Sequence, residues 1–228
     1  MIFEIVTPSV KLLDITHKQE GIEILRRIEW IGRISHRTEE KQTTESWKRF
    51  ITSVILNHGD WSITEHALLT VMAVIDRGIS HEWVRHRIGA YTQESTRFVN
   101  YAKEYTKTAE MINPFRFIEP SLIGERTKKR WRDHRENNVC EYNYYIDHGY
   151  SPQIARNCLP NCLATTLIAT YNLRMWRHFF IMRTCKEAHP QMLQVTIPLL
   201  EQFKALIPLL YDDIIPEQKQ RDNLCLPC

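Results

Sequence analysis

Residues 67–76 read Ala67-Leu68-Leu69-Thr70-Val71-Met72-Ala73-Val74-Ile75-Asp76. The run is apolar and β-branched, which suits a pleated, buried surface. It predicts a buried strand, and so a sheet in the core. Asp76-Arg77-Gly78 turns the chain, and Ser80 is placed to cap a short helix over 81–87. Farther on, 162–171 (CLATTLIATY) has the same character, but periodicity alone leaves strand and buried helix both open. Working outward, 2–6 and 10–16 read as short strands around Pro8, and 96–101 looks extended. Apolar residues recur near a 3.6 period over 20–34 (Ile22, Ile24, Leu25, Ile28, Ile31) and 44–57 (Trp47, Phe50, Ile51, Val54, Ile55), predicting helices, with Gly59 as a stop signal. A long polar helix is expected over 120–148. A second start follows at Ser151-Pro152, with helices over 172–187 and 190–210 parted near Pro190. The mixture is α and β in one domain, with helix predominating.

The chain has 228 residues, room for one large domain or two small ones at ~150 residues each. Such a length can bury a core without disulfides. Net charge is +3, from 30 Lys and Arg against 27 Asp and Glu, too balanced for a protein that coats nucleic acid. No apolar run approaches the ~20 residues of a membrane helix. The opening MIFEIVTPSVKLLDIT lacks a basic n-region, so no secretory signal is expected. With six cysteines and no such signal, the expected compartment is the reducing cytoplasm. The CxxC at Cys225 and Cys228 is a single terminal pair, whereas a structural zinc site wants four ligands, so no metal is expected. The seven glycines are too scattered for GxGxxG or a phosphate loop. Nucleotide binding here must rest on side chains.

Two segments are dense in directed polar groups. The first runs from Ser80 through Glu82, Arg85, His86, Arg87, Gln93, Glu94, Ser95, Thr96 and Arg97. If 81–87 is helical, neighbours turn by ~100°, so Arg85 and Arg87 point to opposite sides with His86 between. That suits two ligands, or one ligand and a second subunit, and Arg favours bidentate phosphate contacts. An exposed basic helix end satisfying the macrodipole remains the plainer alternative. The second segment is 172–183 (NLRMWRHFFIMR). Arg174 and His178 share one helical face; Phe179 and Arg183 share another. An amphipathic helix with solvated arginines explains this equally well.

Taken together, the segments resemble the flavin-dependent thymidylate synthases. RHR, seven residues, then Ser is that family's signature, present as Arg85-His86-Arg87 and Ser95. SITEHALLTV (62–71), IDRGISHEWVRHR (75–87), QESTRFVNY (93–101), ARNCLP (155–160) and NLRMWRHFFIMR (172–183) look like family segments in the expected order, covering roughly 55–195. The resemblance implies one α/β (α+β) domain over 1–228, with a central, mostly antiparallel sheet flanked by helices and a helix-rich C-terminal half. It implies methylation of deoxyuridine monophosphate (dUMP) to thymidylate (dTMP), with 5,10-methylenetetrahydrofolate as carbon donor and NADPH as reductant through bound FAD. It also implies a homotetramer with shared active sites. By motif position, Ser62, Arg85, His86, Arg87, Gln93, Asn172, Arg174 and His178 fall at FAD contacts. Glu82, Arg85, Gln93, Glu94, Ser95, Thr96, Arg97, Arg156 and Arg183 fall at dUMP contacts. Arg183 takes the catalytic position that stabilises negative charge on the uracil ring. Ser95 need not be a nucleophile, since no His-Asp partner is identifiable for it.

The chain departs from the family at Asp60, where some members have His. It departs again at Glu187-Ala188-His189-Pro190-Gln191, where many have His-Ala followed by Glu. Both regions are associated with folate or NADPH access, and no role is carried over to them. Ala90 stands where Ser is frequent. Two competing classes are a nucleic-acid module built on the basic run 126–132 (RTKKRWR) and a non-catalytic flavin-binding subunit. Asp133 and Glu136 dilute the basic run, and the retained Arg183 argues against the second.

Overall fold

The computed structural model describes residues 2–104, 115–121 and 123–216. In chain order the elements are β1 (Glu4–Ile5), β2 (Ser9–Leu12), α1 (Lys18–Ile34), α2 (Ser46–Phe50), β3 (Leu68–Asp76), α3 (Arg77–Trp83), β4 (Ala90–Gln93), α4 (Tyr101–Glu104), β5 (Arg116–Phe117), α5 (Glu125–Asp147), α6 (Pro152–Ala155), β6 (Ala164–Asn172), α7 (Leu173–Arg183) and α8 (Pro190–Leu206). α2 continues as a π-helix over Ile51–Asn57, and a 3₁₀ turn spans Trp61–His66. Four strands form an antiparallel sheet in the order β2-β3-β6-β4, flanked by helices, as the α/β reading expects. β1 and β5 pair in parallel, with Glu4 opposite Arg116 and Ile5 opposite Phe117. No helix among the described residues is long and apolar enough to cross a membrane.

β3 alternates along its length. Leu69, Val71, Ala73 and Ile75 are buried, while Thr70, Met72, Val74 and Asp76 are half-buried. β6 does the same, with Leu167, Ala169 and Tyr171 buried and Thr166, Ile168 and Thr170 half-buried. The second face is partly covered too, so both faces carry apolar or β-branched groups and the sequence shows no clean alternation. The ambiguous stretch is therefore strand over 164–172, with Cys162 and Leu163 preceding it.

The chain divides into two compact units. One holds the described residues of 1–11 and 72–169, the other those of 12–71 and 170–228. The first has a core of Phe3, Tyr101, Phe115, Phe117, Val139, Tyr142, Ala155 and Leu163. Its aromatic rings meet edge-on or stacked, with Tyr101 5.6 Å from Phe115 and 5.9 Å from Tyr142. In the second, Trp176 sits among Tyr171, Phe179, Phe180 and Phe203 at 4.5–5.8 Å between ring centres. The Trp176 indole N–H donates to the Leu69 carbonyl at 3.0 Å, so this buried ring leaves no polar atom unpaired. α1 passes close to the end of α8: a Cβ on Gly21 would lie 1.8 Å from the Leu206 carbonyl oxygen. Only glycine fits there.

Several expectations are corrected. Ser80 does not cap a helix over 81–87; α3 starts earlier, at Arg77, and the cap is Asp76. Residues 96–98 form a turn, not an extended segment. β2 stops at Leu12, α7 at Arg183 and α8 at Leu206. The basic run on α5 is partly neutralised: Arg132 pairs with Glu119 at 2.7 Å and Lys128 with Glu125 at 2.8 Å. The Cys225/Cys228 pair lies outside the described residues.

Candidate active site

Two strand-to-helix joints share one design. Asp76 ends β3, and its carboxylate accepts the N–H of Ile79 at 2.7 Å, opening α3. Asn172 ends β6, and its Oδ1 accepts the N–H of Met175 at 2.7 Å, opening α7. Such N-caps satisfy a helix donor that would otherwise lack a partner. The second joint places Arg174, His178 and Arg183 on α7 directly after β6, and the first leads through Glu82 on α3 to Arg85–Arg87.

In the first unit, α3 ends at the fully buried Trp83, and the Arg-His-Arg triplet lies beyond it. The helical placement of Arg85 to Arg87 is therefore overturned. Exposure alternates along the loop, with Arg85 and Arg87 exposed and His86 buried, at 7%, so both arginines lie toward solvent and His86 turns inward. The Tyr91 hydroxyl folds the loop back, directed at the carbonyls of Trp83 (3.2 Å) and His86. Among the described residues neither guanidinium has an acidic partner, and the same holds for exposed Arg156, in the turn after α6. Glu82 sits half-buried on α3.

Gln93, at the end of β4, donates from Nε2 to Ser80 Oγ (2.9 Å) and Thr165 Oγ1 (3.3 Å), leaving Oε1 as its acceptor. Arg77 reaches the Glu94 carbonyl (3.3 Å) and Thr165 Oγ1 (3.4 Å). The Glu94 carboxylate accepts from Tyr101 Oη at 2.6 Å and from the Thr166 N–H at 3.4 Å, and faces Arg116 at 3.5 Å. Ser95 is half-buried and Thr96 is buried, at 5%. Arg97 is exposed, held by Gln153 (3.2 Å) and stacked 5.0 Å from the Phe98 ring centre. Arg77, Ser80, Tyr101, Arg116 and Thr165 thus belong to the site's framework. Sequence reasoning gave none of them a site role, although Ser80 opens the first polar segment and Tyr101 ends the QESTRFVNY stretch.

In the second unit, Ser62 is exposed on the 3₁₀ turn Trp61–His66. Arg174 and His178 share the exposed face of α7 as expected, while Trp176, Phe179 and Phe180 face the core. Arg174 pairs with Glu65 at 2.7 Å on the surface. Arg183 is the half-buried last residue of α7, and its carbonyl accepts from Thr196 Oγ1 at 2.8 Å. Arg177 differs from its neighbours: it grips Asp213 and lies 4.4 Å from the Trp61 ring centre. That guanidinium, by hydrogen bond and charge, holds the Asp213 carboxyl below its usual range. Of the departure residues, Asp60 is exposed at the start of the 3₁₀ turn, and His189 Nδ1 accepts the Gln191 N–H at 3.2 Å as α8 opens.

The described thiols are free. Burial, followed by the Glu141 charge, pushes Cys158 up to about 11. Burial also raises Cys162, against the lowering effect of Arg135. Neither presents a thiolate near neutral pH, the form a nucleophile needs.

Comparison with known proteins places the chain in a family. The family profile described as thymidylate synthase complementing protein matches residues 11–209. A flavin-dependent thymidylate synthase of Saccharolobus solfataricus is 33% identical over 209 residues, covering 89% of this chain and 75% of the relative. The chain belongs to the flavin-dependent thymidylate synthase family. Enzymes of the same name from Sulfurisphaera tokodaii (33% identical, 78% of this chain and 66% of the relative) and Pyrococcus furiosus (31%, 78% and 74%) are similar too. Every candidate from Ser62 to Arg183 falls inside the span shared with the flavin-dependent thymidylate synthase family; the terminal cysteine pair falls outside it.

Proposed function

We propose that this protein makes thymidylate by FAD-dependent reductive methylation: dUMP, 5,10-methylenetetrahydrofolate, NADPH and a proton give dTMP, tetrahydrofolate and NADP⁺. The observation that carries the reading is the pair Arg85 and Arg87, exposed, flanking buried His86 in the sequence and without acidic partners among the described residues, inside the family's signature. Guanidiniums left open in this way fit polyanionic ligands such as a dinucleotide or a nucleotide monophosphate. The donor set is made of side chains, which fits a chain without a glycine-rich phosphate loop.

In this reading Ser62, Arg85, His86, Arg87, Gln93, Asn172, Arg174 and His178 hold FAD. Asn172 keeps its Nδ2 donors available while Oδ1 caps α7, and Arg174 exchanges Glu65 for the cofactor. When bound, the flavin supplies hydride transfer. Glu82, Arg85, Gln93, Glu94, Ser95, Thr96, Arg97, Arg156 and Arg183 surround dUMP. The guanidinium of Arg183 stabilises negative charge on the uracil, raising the nucleophilicity of its C5. We read 1–228 as one functional domain, because the chain passes between the two units three times. A homotetramer with shared sites and a cytoplasmic location complete the proposal, the latter supported by the free thiols.

The test is a product assay. Protein loaded with FAD and supplied with dUMP, methylenetetrahydrofolate and NADPH should form dTMP and release tritium from C5-labelled dUMP. Flavin that is bound and reduced by NADPH, with no dTMP formed, would refute the reading.

A further inference from the structure

Glu94 lies between Gln93 and Ser95, and a carboxylate is a poor neighbour for a nucleotide phosphate. Its contacts give it a different task. The backbone is fixed twice: its N–H donates to the Thr166 carbonyl at 3.0 Å, and its own carbonyl accepts from Arg77 at 3.3 Å. The carboxylate is fixed as well. Oε1 takes the Tyr101 hydroxyl at 2.6 Å; Oε2 faces the Thr166 N–H at 3.4 Å and Arg116 at 3.5 Å. Tyr101 is itself immobile, 2% exposed and packed on Phe115 and Tyr142, and its N–H donates to the Tyr142 hydroxyl at 3.3 Å. Burial, then the Glu94 charge, raises the Tyr101 phenol far above its ordinary value, so it stays a donor throughout the working pH range. Arg116 is anchored in β5 by its register with Glu4.

We propose that Tyr101 and Arg116 are positioning residues of the active site, clamping the Glu94 carboxylate so that Ser95 and Arg97 are presented to the substrate. The inference rests on the dUMP reading above and reassigns Glu94 within it, from substrate contact to strut. The turn it supports starts at once: the Ser95 carbonyl accepts the Val99 N–H at 3.0 Å, and Ser95 Oγ faces the Arg97 N–H at 3.3 Å. A shift of Glu94 therefore carries both presented side chains with it. A charge-assisted hydrogen bond of this kind is among the stronger ones available to a protein.

The experiment is calorimetric titration of the FAD-loaded protein with dUMP, for wild type, Tyr101→Phe, Glu94→Gln, the double variant, Arg116→Met and Arg116→Lys. Tyr101→Phe, Glu94→Gln and Arg116→Met should each weaken dUMP binding about tenfold, equivalent to about 1.4 kcal/mol, with FAD content unchanged. Arg116→Lys, which keeps the charge, should stay within a few-fold of wild type. Because the groups act as one clamp, the double variant should lose about tenfold, not about a hundredfold. Tyr101→Phe and Arg116→Met binding dUMP like wild type while Glu94→Gln fails would overturn the proposal, since Glu94 would then touch dUMP itself. A fully multiplicative double variant would overturn it too. If Tyr101→Phe does not fold, Arg116→Met against Arg116→Lys still decides. Wild-type protein that binds dUMP but yields no dTMP sinks the thymidylate reading alone, and the binding series still judges the clamp.

Discussion

Asn172 Oδ1 accepts the Met175 N–H at 2.7 Å, so the residue proposed as a flavin contact is also the cap of the helix that carries Arg174, His178 and Arg183. The two roles separate by substitution. Asn172→Ala loses both and should lower stability by about 1 kcal/mol, the usual cost of a lost N-cap. Asn172→Asp keeps the cap acceptor and loses the Nδ2 donors. It should melt like wild type yet bind less FAD. Thermal unfolding paired with the flavin-to-protein absorbance ratio checks this; an Asp variant with full flavin would leave Asn172 as a cap alone.

Arg87 offers a cleaner test of the cofactor assignment, because its guanidinium has no acidic partner among the described residues to lose. Arg87→Ala should remain folded. Losing a charge-assisted bond of about 1.5–3 kcal/mol should weaken FAD roughly tenfold to a hundredfold. Full flavin occupancy after dialysis would contradict the assignment.

Local physics made part of this legible. β3 could be read from 67–76 because its β-branched run suits a strand. β6 stayed ambiguous because Thr166, Ile168 and Thr170 line a face that is itself half-covered, which erases the alternation. The capping of α3 was misread because Ser80 resembles a cap, yet its hydroxyl donates back to the Arg77 carbonyl at 2.9 Å while Asp76 does the capping. The triplet at 85–87 looked helical because no local signal showed that Tyr91 would draw the loop back onto Trp83 and His86. The residue roles came from the family signature, not from periodicity. The partners of Glu94 escaped both, since Arg116 comes from a separate strand.

The thiol of Cys158 supplies a pH dependence. Its folded value, about 11, lies above the ordinary thiol value of ~8.5. The unfolded chain therefore releases this proton first as pH rises. Cys158 adds stability that is fully present below about pH 8.5 and is lost progressively toward pH 11. Melting temperature should fall more steeply across that window for wild type than for Cys158→Ala. Parallel profiles would remove Cys158 from the alkaline response. The same variant, with Cys140→Ser, Cys162→Ser and Cys185→Ser, should retain turnover, because no thiolate is needed when flavin carries the redox chemistry; loss of chemistry in one that still binds FAD and dUMP would overturn the mechanism.

Arg183 is the sharpest test. It ends α7, nine residues after Arg174 and five after His178. At ~1.5 Å rise and ~3.6 residues per turn, it stands about one and a half turns beyond His178 and about two and a half beyond Arg174, a displacement that suits a base held beside the bound flavin. Its backbone is fixed by the Thr196 hydroxyl at 2.8 Å, which holds the helix end in place. A cation here stabilises charge that grows on the uracil as C5 attacks, so the benefit belongs mainly to the transition state. Arg183→Ala should keep FAD, still let NADPH reduce it, and lose most dTMP formation. Lysine preserves the charge but not the planar fork, so Arg183→Lys should fall between Ala and wild type. A merely solvated arginine would give a different pattern, with turnover nearly unchanged in both variants. Stopped-flow flavin reduction run beside a dTMP assay decides between them: near-normal thymidylate output from Arg183→Ala would remove Arg183 from the chemistry.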